Sequence, residues 1–430
     1  MKKVLLIVFC FVISSILYSQ NPVLIGYWHN WNDNSAPYIP LNQIDSRYSV
    51  VCVSFAEPTS PSDMNMNFTP DGVSQSTFIS QIQTLQSQGK KVLLSIGGAN
   101  TSISLNNSTN RDLFVNSMSS LLTTYGFDGI DIDIEHGNSI LASGSIANPI
   151  AADVLNLIAA INQIRTNYYT TFSSNMMLTF APETAYVQGG MSAFGGIWGG
   201  YLPLINAFRN ELSYVHVQLY NSGSMYGIDG NIYNQGTSDF IVAMTEALLQ
   251  GFSTAGGFFQ ALPSNKVAIG IPACPSAAGG GFVNTTGVEN AIKYLRGLGP
   301  QPGTYVLNNP SGYPNLGGMM TWSINWDKVS TCNSSSYEYA QNYAMIFGSS
   351  LSISITIAEK QDVELFPNPC QDRFRIANFE GNANYFIFNS LGQTVQKGVY
   401  GQDECIATDQ LNSGIYFIKI KNKSLKLIKN

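Results

Sequence analysis

Along residues 128–135 the chain alternates: Asp131, Asp133 and Glu135 fall on one parity, Ile130, Ile132 and Ile134 on the other. Successive side chains of a strand point to opposite faces, so the pattern predicts a strand with three carboxylates on one surface and isoleucines packed behind it. Seven more short apolar, β-rich runs recur at Val23–Trp28, Tyr48–Phe55, Lys91–Ile96, Met176–Ala181, Tyr214–Tyr220, Lys266–Pro272 and Gly317–Trp326, which with Phe127–Glu135 make eight. Between them stand segments of helical periodicity, among them Phe78–Gln88, Asp112–Thr124, Ala151–Thr166, Ile241–Gln250 and Val288–Leu298. Eight buried strands, each followed by room for a helix, predict an α/β fold, a (β/α)8 TIM barrel, over residues 21–349. Polar or aromatic residues follow most runs at the same end: Trp28 and His29, Glu57, Gly97 and Gly98, Glu135, Glu183, Tyr220 and Asn221, Trp326 and Asp327. That is the end at which such barrels carry their active sites.

The pattern differs at both ends of the chain. Met1-Lys2-Lys3 precedes an apolar run from Val4 to Leu17 and then polar Asn21. The run is too short to span a bilayer and predicts a secretory signal peptide over residues 1–20, not stable membrane insertion. From Leu351 the barrel rhythm stops, and residues 350–360 read as a linker. The turn Phe366-Pro-Asn-Pro369 then leads to short alternating strands, Tyr385–Asn389, Gln393–Val399 and Ile415–Ile420, which predict a small C-terminal all-β domain over residues 361–430.

Charge narrows the partners. Residues 21–354 hold ten Lys and Arg against nineteen Asp and Glu, and charged residues are only 11% of the whole chain. A polyanion would be repelled, so nucleic acid is excluded and neutral polar ligands fit. The three histidines, His29, His136 and His216, are scattered and no CxxC occurs, so neither a metal nor a cofactor is expected. Outside the leader five cysteines remain, Cys52, Cys274, Cys332, Cys370 and Cys405, and Cys370 with Cys405 forms a candidate bridge in the tail. A monomer is expected.

The carboxylate row carries the chemistry. Residues two apart on a strand stand roughly 6.5–7 Å apart, and like charges that close raise one another's pKa in a partly dry cavity. At least one should hold a proton near neutral pH, and a protonated acid beside an ionised one is what glycosidic-bond cleavage needs. A metal site or a plain strand cap is the alternative; three inward acids on a core strand are costly without a function.

The same segments resemble glycoside hydrolase family eighteen, the chitinases and endo-β-N-acetylglucosaminidases. Asp128–Glu135 is similar to the family's D-x-x-D-x-D-x-E motif, Lys91–Gly98 to its S-x-G-G strand, Leu178–Glu183 to its fifth strand, Gln218-Leu-Tyr220-Asn221 to its Q-x-Y-N, and Gly317–Asp327 to its closing tryptophan strand. Tyr186–Gly190 with Trp198–Pro203 resembles the bacterial chitinase D branch. The resemblance implies chitin or N-acetylglucosamine oligosaccharides as substrate and a substrate-assisted, retaining mechanism, for which families of this kind are an exception to paired-carboxylate glycosidases. Glu135 would be the general acid. Asp133 would hold the acetamido N–H, Asp131 would buffer Asp133, and Tyr220 would orient the acetamido oxygen. Trp322 is the candidate sugar floor, with Tyr27, Trp28, Gln218, Asn221 and Gly98 as further cleft candidates and Trp198 as an outer platform or a loop-packing residue. Ser95, Gly97 and Gly98 are expected to support the carboxylate strand, with Ser95 donating to Asp131.

The rival functions are an endo-β-N-acetylglucosaminidase acting on glycoprotein glycans and a non-catalytic sugar-binding relative; the presence of Glu135 speaks against the second. About forty residues separate Cys274 from Gly317, too few for a walled insertion beside the expected helix, which predicts an open, internally cleaving cleft. In the tail, FPNP, SLGQ at Ser390–Gln393, LNSGIYFIKI at Leu411–Ile420 and the terminal KLIK resemble the type A sorting domain of the type nine secretion system, which implies a partnership with outer-membrane export machinery and a secreted or cell-surface protein. A small carbohydrate-binding or adhesion module is the alternative.

Overall fold

A computed structural model of the chain describes residues 22–135, 139–329, 331–348 and, in the tail, 364–377, 379, 381–389, 392–401, 404–421 and 423–430. The expected signal peptide, linker and His136 lie outside the described residues. The chain divides into two compact units, with the boundary after Ser350.

The first unit is built on eight parallel strands: β1 Val23–His29, β2 Val50–Ser60, β3 Lys91–Gly97, β4 Gly129–Asp133, β5 Met177–Phe180, β6 Tyr214–Val215, β7 Ala268–Pro272 and β8 Gly318–Trp322. Parallel pairing runs from β7 through β8 and β1 round to β6, and the bridges Val215 to Val267 and Gln218 to Gly270 close the ring. Two expected strands are shorter than their apolar runs. Tyr214–Tyr220 is a continuous strand only at its first two residues and pairs further on through isolated bridges at Gln218. The last run leaves the sheet at Trp322, because Ser323 caps a short helix, Ile324–Lys328, that carries Trp326 and Asp327.

Helices α1 Gln75–Ser87, α2 Ser108–Tyr125 and α3 Ala152–Phe172 cover successive crossovers. Ser74 and Asn107 cap the first two through their side chains, and Gly126 ends α2 in the left-handed conformation. Two apolar layers result. One lies between strands and helices and contains Ile130, Ile132, Ile134 and Trp28; the other fills the barrel and contains Ile25, Tyr27, Cys52, Leu93, Tyr214 and Met320. Neighbouring parities of a strand therefore see different worlds. Tyr27 faces the interior and Trp28 the helix layer, which corrects the pairing of the two as cleft residues.

Cysteine pairing is also corrected. Cys274, just past β7, bridges Cys332, while Cys52, Cys370 and Cys405 are free. Cys370 is buried in the tail core with its thiol near Thr408, and Cys405 is exposed, so the two do not meet. Among the described residues the sheets of the second unit pair antiparallel, with Gly414–Ile420 flanked by Ala383–Phe388 and Lys423–Lys429, and one isolated parallel bridge joins Cys370 to Lys429. Its strands alternate buried and exposed positions round a core of Phe374, Ile376, Ile387, Ile418 and Leu427.

Candidate active site

Register explains how the carboxylate row is held. Parallel pairing sets Ser95 of β3 beside Asp131 of β4 and Asp131 beside Thr179 of β5, so all three point into the barrel in one row. Ser95 Oγ donates to Asp131 Oδ2 at 2.8 Å, as expected, and Tyr27 donates to the same oxygen at 2.6 Å. Thr179 Oγ1 donates to Oδ1 at 2.6 Å. Asp131 is fully buried, and burial alone would raise its pKa; His216, Thr179 and Tyr27 outweigh it and hold the carboxyl below the usual range.

Asp133, one strand repeat higher, has a different environment. Burial, then the charges of Glu135 and Asp131, push its pKa well up, and it shares a hydrogen bond with Glu135. Neighbouring acids with opposite shifts are the pattern expected of acid–base machinery. Gln218 Nε2 lies 2.8 Å from Asp133 Oδ1 and 2.9 Å from Glu135 Oε1, so one amide ties the buried acid to the one at the mouth. Gln218 was expected only as a cleft residue.

Two glycines let β3 approach this row. Gly97 and Gly98 have φ of 111° and 79°, and a Cβ on Gly97 would stand 2.4 Å from the Asp133 carbonyl oxygen. Gly98 N–H donates to that oxygen at 2.7 Å. No side chain fits there, which gives the S-x-G-G pattern its physical reason.

Above the row opens a cavity of about 290 Å³, lined by Glu135, Gln218, Tyr220, Asn221, Gly98 and Trp322 together with Trp31, Phe55, Glu57, Asn100 and Ala277. Burial, then the charges of Glu135 and Asp133, keep the Tyr220 hydroxyl protonated by raising its pKa well above the usual value, so it can donate. Trp322 stacks nearly parallel to Phe55, with ring centroids 5.9 Å apart and 11° between planes. Trp31 stacks on His29 at 4.6 Å and 8°. Burial pushes His29 down to about 4, so its ring is neutral within this aromatic wall.

Four expected cleft residues sit elsewhere or act otherwise. Trp28 is fully buried in the helix layer and donates from Nε1 to the Ile39 carbonyl. Tyr27 is 1% exposed and spends its hydroxyl on Asp131. Trp198 lies outside the cavity lining; its ring packs on Gly189 and is 37% exposed. Asn221 lines the cavity, but its side-chain oxygen accepts from Gly280 N–H. Sequence reasoning missed Trp31, two residues past the end of β1, and Phe55, within β2. It also read the histidines as scattered, whereas a His216 nitrogen, an Asp131 oxygen and Cys52 Sγ lie within 4.8 Å of one another. Cys52 and Asp131 stand on different strands and His216 just past a third, and no local spacing joins them.

Residues 23–281 match the family described as "Glycosyl hydrolases family 18", and residues 364–430 match "Secretion system C-terminal sorting domain". The second match marks a secreted or cell-surface protein. The chain is 48% identical over 309 residues to Chitinase Chi52 of Paenibacillus xylanexedens and 47% identical over 310 residues to Chitinase D of Niallia circulans. Each match covers 71% of this chain and 58% of the relative, so the chain spans well under two thirds of their length. Among solved structures, a family GH18 chitinase from Chromobacterium violaceum is similar with a TM-score of 0.67 and 38% identity, covering 76% of this chain and 83% of that one.

Proposed function

The chain belongs to family 18 of the glycosyl hydrolases, and on that premise we propose that it is a secreted chitinase that cleaves β-1,4 bonds between N-acetylglucosamine units with retention. The carrying observation is the graded carboxylate row, with Asp131 held low, Asp133 pushed up and Glu135 at the mouth of an aromatic-walled cavity.

Asp133 passes its proton to Glu135 through their hydrogen bond, which arms Glu135 as general acid and leaves Asp133 anionic. Glu135 protonates the glycosidic oxygen as its bond to the anomeric carbon breaks. The carbonyl oxygen of the sugar's own acetamido group attacks that carbon from the other face. Asp133 accepts the acetamido N–H, and Tyr220 donates to the acetamido oxygen, fixing its angle of approach. Water then adds to the anomeric carbon while Glu135 takes its proton, which reopens the oxazolinium ring and restores the acetamide. Asp131 acts on Asp133 and not on the sugar. Trp322 offers a flat apolar floor for the reacting ring.

Glu57 also lines the cavity, and Glu183 acts electrostatically on Asp133, so the site contains further acids that a covalent mechanism would recruit. The acetamido reading is preferred because Tyr220 lines the cavity close enough to Glu135 and Asp133 to feel their charges, which puts a donor beside the row where that group would lie.

Cleavage is internal in this reading. Among the described residues, no strand lies between β7 and β8, and the segment holds one helix of regular length, Thr285–Leu295, so nothing walls the groove as an inserted domain would. The tail would direct export through the type nine secretion machinery. Product analysis on N-acetylglucosamine oligomers of defined length tests the function: β-anomers should appear first, with internal bonds cut and the viscosity of a soluble chitin derivative falling early. Inverted products, or cleavage of an N-glycan core with oligomers left intact, would reject it.

A further inference from the structure

Asp131 and Asp133 are both buried on one strand face, yet their pKa values are displaced in opposite directions. Their neighbours differ. Asp131 Oδ2 takes Tyr27 and Ser95, and Oδ1 takes Thr179, with His216 Nε2 3.3 Å from the same oxygen. His216 is fully buried; its Nδ1 has no hydrogen-bond partner, and its Nε2 faces Asp131 Oδ1. The ring meets Tyr27 edge-on at 6.1 Å. Burying an imidazole costs free energy, so its approach to Asp131 needs a reason.

We propose that His216 is a positioning residue that holds Asp131 as the anionic member of the row, so that the row's working proton rests on Asp133 within reach of Glu135. The titratable groups packed round His216 and Asp131 are Tyr27 from β1, Cys52 from β2, Asp133 from β4 and Tyr201 from the loop before Leu202–Ala207. Burial, and then the charges of the two aspartates, raise Tyr27, Cys52 and Tyr201. All three are thereby held neutral. The trio of Cys52, Asp131 and His216 has donor types that suit a thiophilic ion, but each Asp131 oxygen already has two polar neighbours on the protein. The arrangement is therefore a cage for an anion.

Without His216, Asp131 would bind the row's proton itself. Asp133 would lose the charge that helps raise its pKa, and a second, weaker-binding proton would be needed to arm Glu135. Activity should then require a lower pH.

The inference rests on the hydrolase reading for its kinetic readout, and an independent stability readout keeps the two separable. His216→Leu removes the ring nitrogen, whereas His216→Gln keeps an N–H donor of similar reach. On N-acetylglucosamine oligomers, H216L should lower kcat by about tenfold or more with KM little changed, and the basic limb of its kcat profile should move to lower pH by on the order of one unit. H216Q should restore the limb. A uniform loss at every pH, or H216Q behaving as H216L, would reduce His216 to a packing residue.

The stability readout is a double-mutant cycle of His216→Leu with Asp131→Asn, followed by thermal unfolding at pH 7. Asp131's depressed pKa contributes stability that is present above its unfolded value and lost as pH falls through its folded one. The double variant should therefore unfold at a higher temperature than the summed single losses predict. Additive losses would overturn the proposal whether or not the chain is a hydrolase. If the parent chain cleaves no oligomer, the hydrolase reading fails and the cycle alone decides on His216.

Discussion

The barrel and the tail domain treat ionisable residues in opposite ways. The barrel buries Lys90, Asp131, Asp133, Glu246 and Asp327 with His29 and His216, whereas among the described residues of the tail no Asp, Glu, Lys, Arg or His is buried. The tail's antiparallel strands send every second residue to solvent, so its described charged groups stay wholly or partly exposed. Burying a charge costs several kcal/mol unless partners repay it, and the fold tolerates the cost only where something is gained.

What is gained differs within the barrel. Glu246 accepts from the Tyr305 and Tyr313 hydroxyls and from the backbone N–H groups of Asn308 and Asn309, and so staples a long connection to its helix. Asp327 accepts from Tyr339 N–H, Ala340 N–H and the Tyr48 hydroxyl, although burial still lifts it to about 6. Those acids hold backbone. Asp133 is held by a side-chain amide and by another acid, an arrangement that in the proposed reaction holds a proton in readiness.

This contrast can be broken residue by residue. The largest effect is expected at the mouth: Glu135→Gln keeps shape but removes the proton donor, and turnover on chitin oligomers should fall about 10²- to 10⁴-fold with binding by calorimetry nearly unchanged. Asp133→Asn should cost about 10²-fold or more in kcat, because the amide can neither relay the proton nor accept the acetamido N–H as an anion. Tyr220→Phe loses one orienting hydrogen bond and should lower kcat about tenfold, with thermal stability unchanged.

Replacing Cys274 and Cys332 together by Ser acts on stability instead. Chain entropy for this 58-residue separation sets the loss at about 4 kcal/mol at most, read from denaturant unfolding, with turnover at 25 °C close to that of the parent. The smallest effect is expected from the tail. A chain ending at residue 349 should hydrolyse soluble oligomers at the parental rate, and a large loss of turnover with the barrel folded would erase the division of labour.

Much of this was legible along the chain because barrel strands and carboxylates obey a period of two. The alternation at 128–135 places Asp131 and Asp133 inward and Ile130 and Ile132 outward, as found. The same rule, applied to β1, separates Tyr27 from Trp28, and pairing them as cleft residues ignored it. Other features are long-range and leave no local mark. Nothing in sequence spacing links Cys274 to Cys332, or His216 on β6's extension to Asp131 on β4. Helix Ile324–Lys328 was hidden because the apolar run of the last strand continues through Ile324 and Trp326, and only Ser323, as its cap, marks the break.

The central claim is that the barrel's acids work through the substrate's own acetamido group. It is tested most directly by comparing an N-acetylglucosamine oligomer with the same oligomer deacetylated at the reacting sugar. The account predicts rapid cleavage of the first and none of the second at that bond, because the amine lacks the carbonyl oxygen that attacks the anomeric carbon. Efficient hydrolysis of the deacetylated bond, or a sugar ester trapped on Glu57 or Glu183, would contradict it.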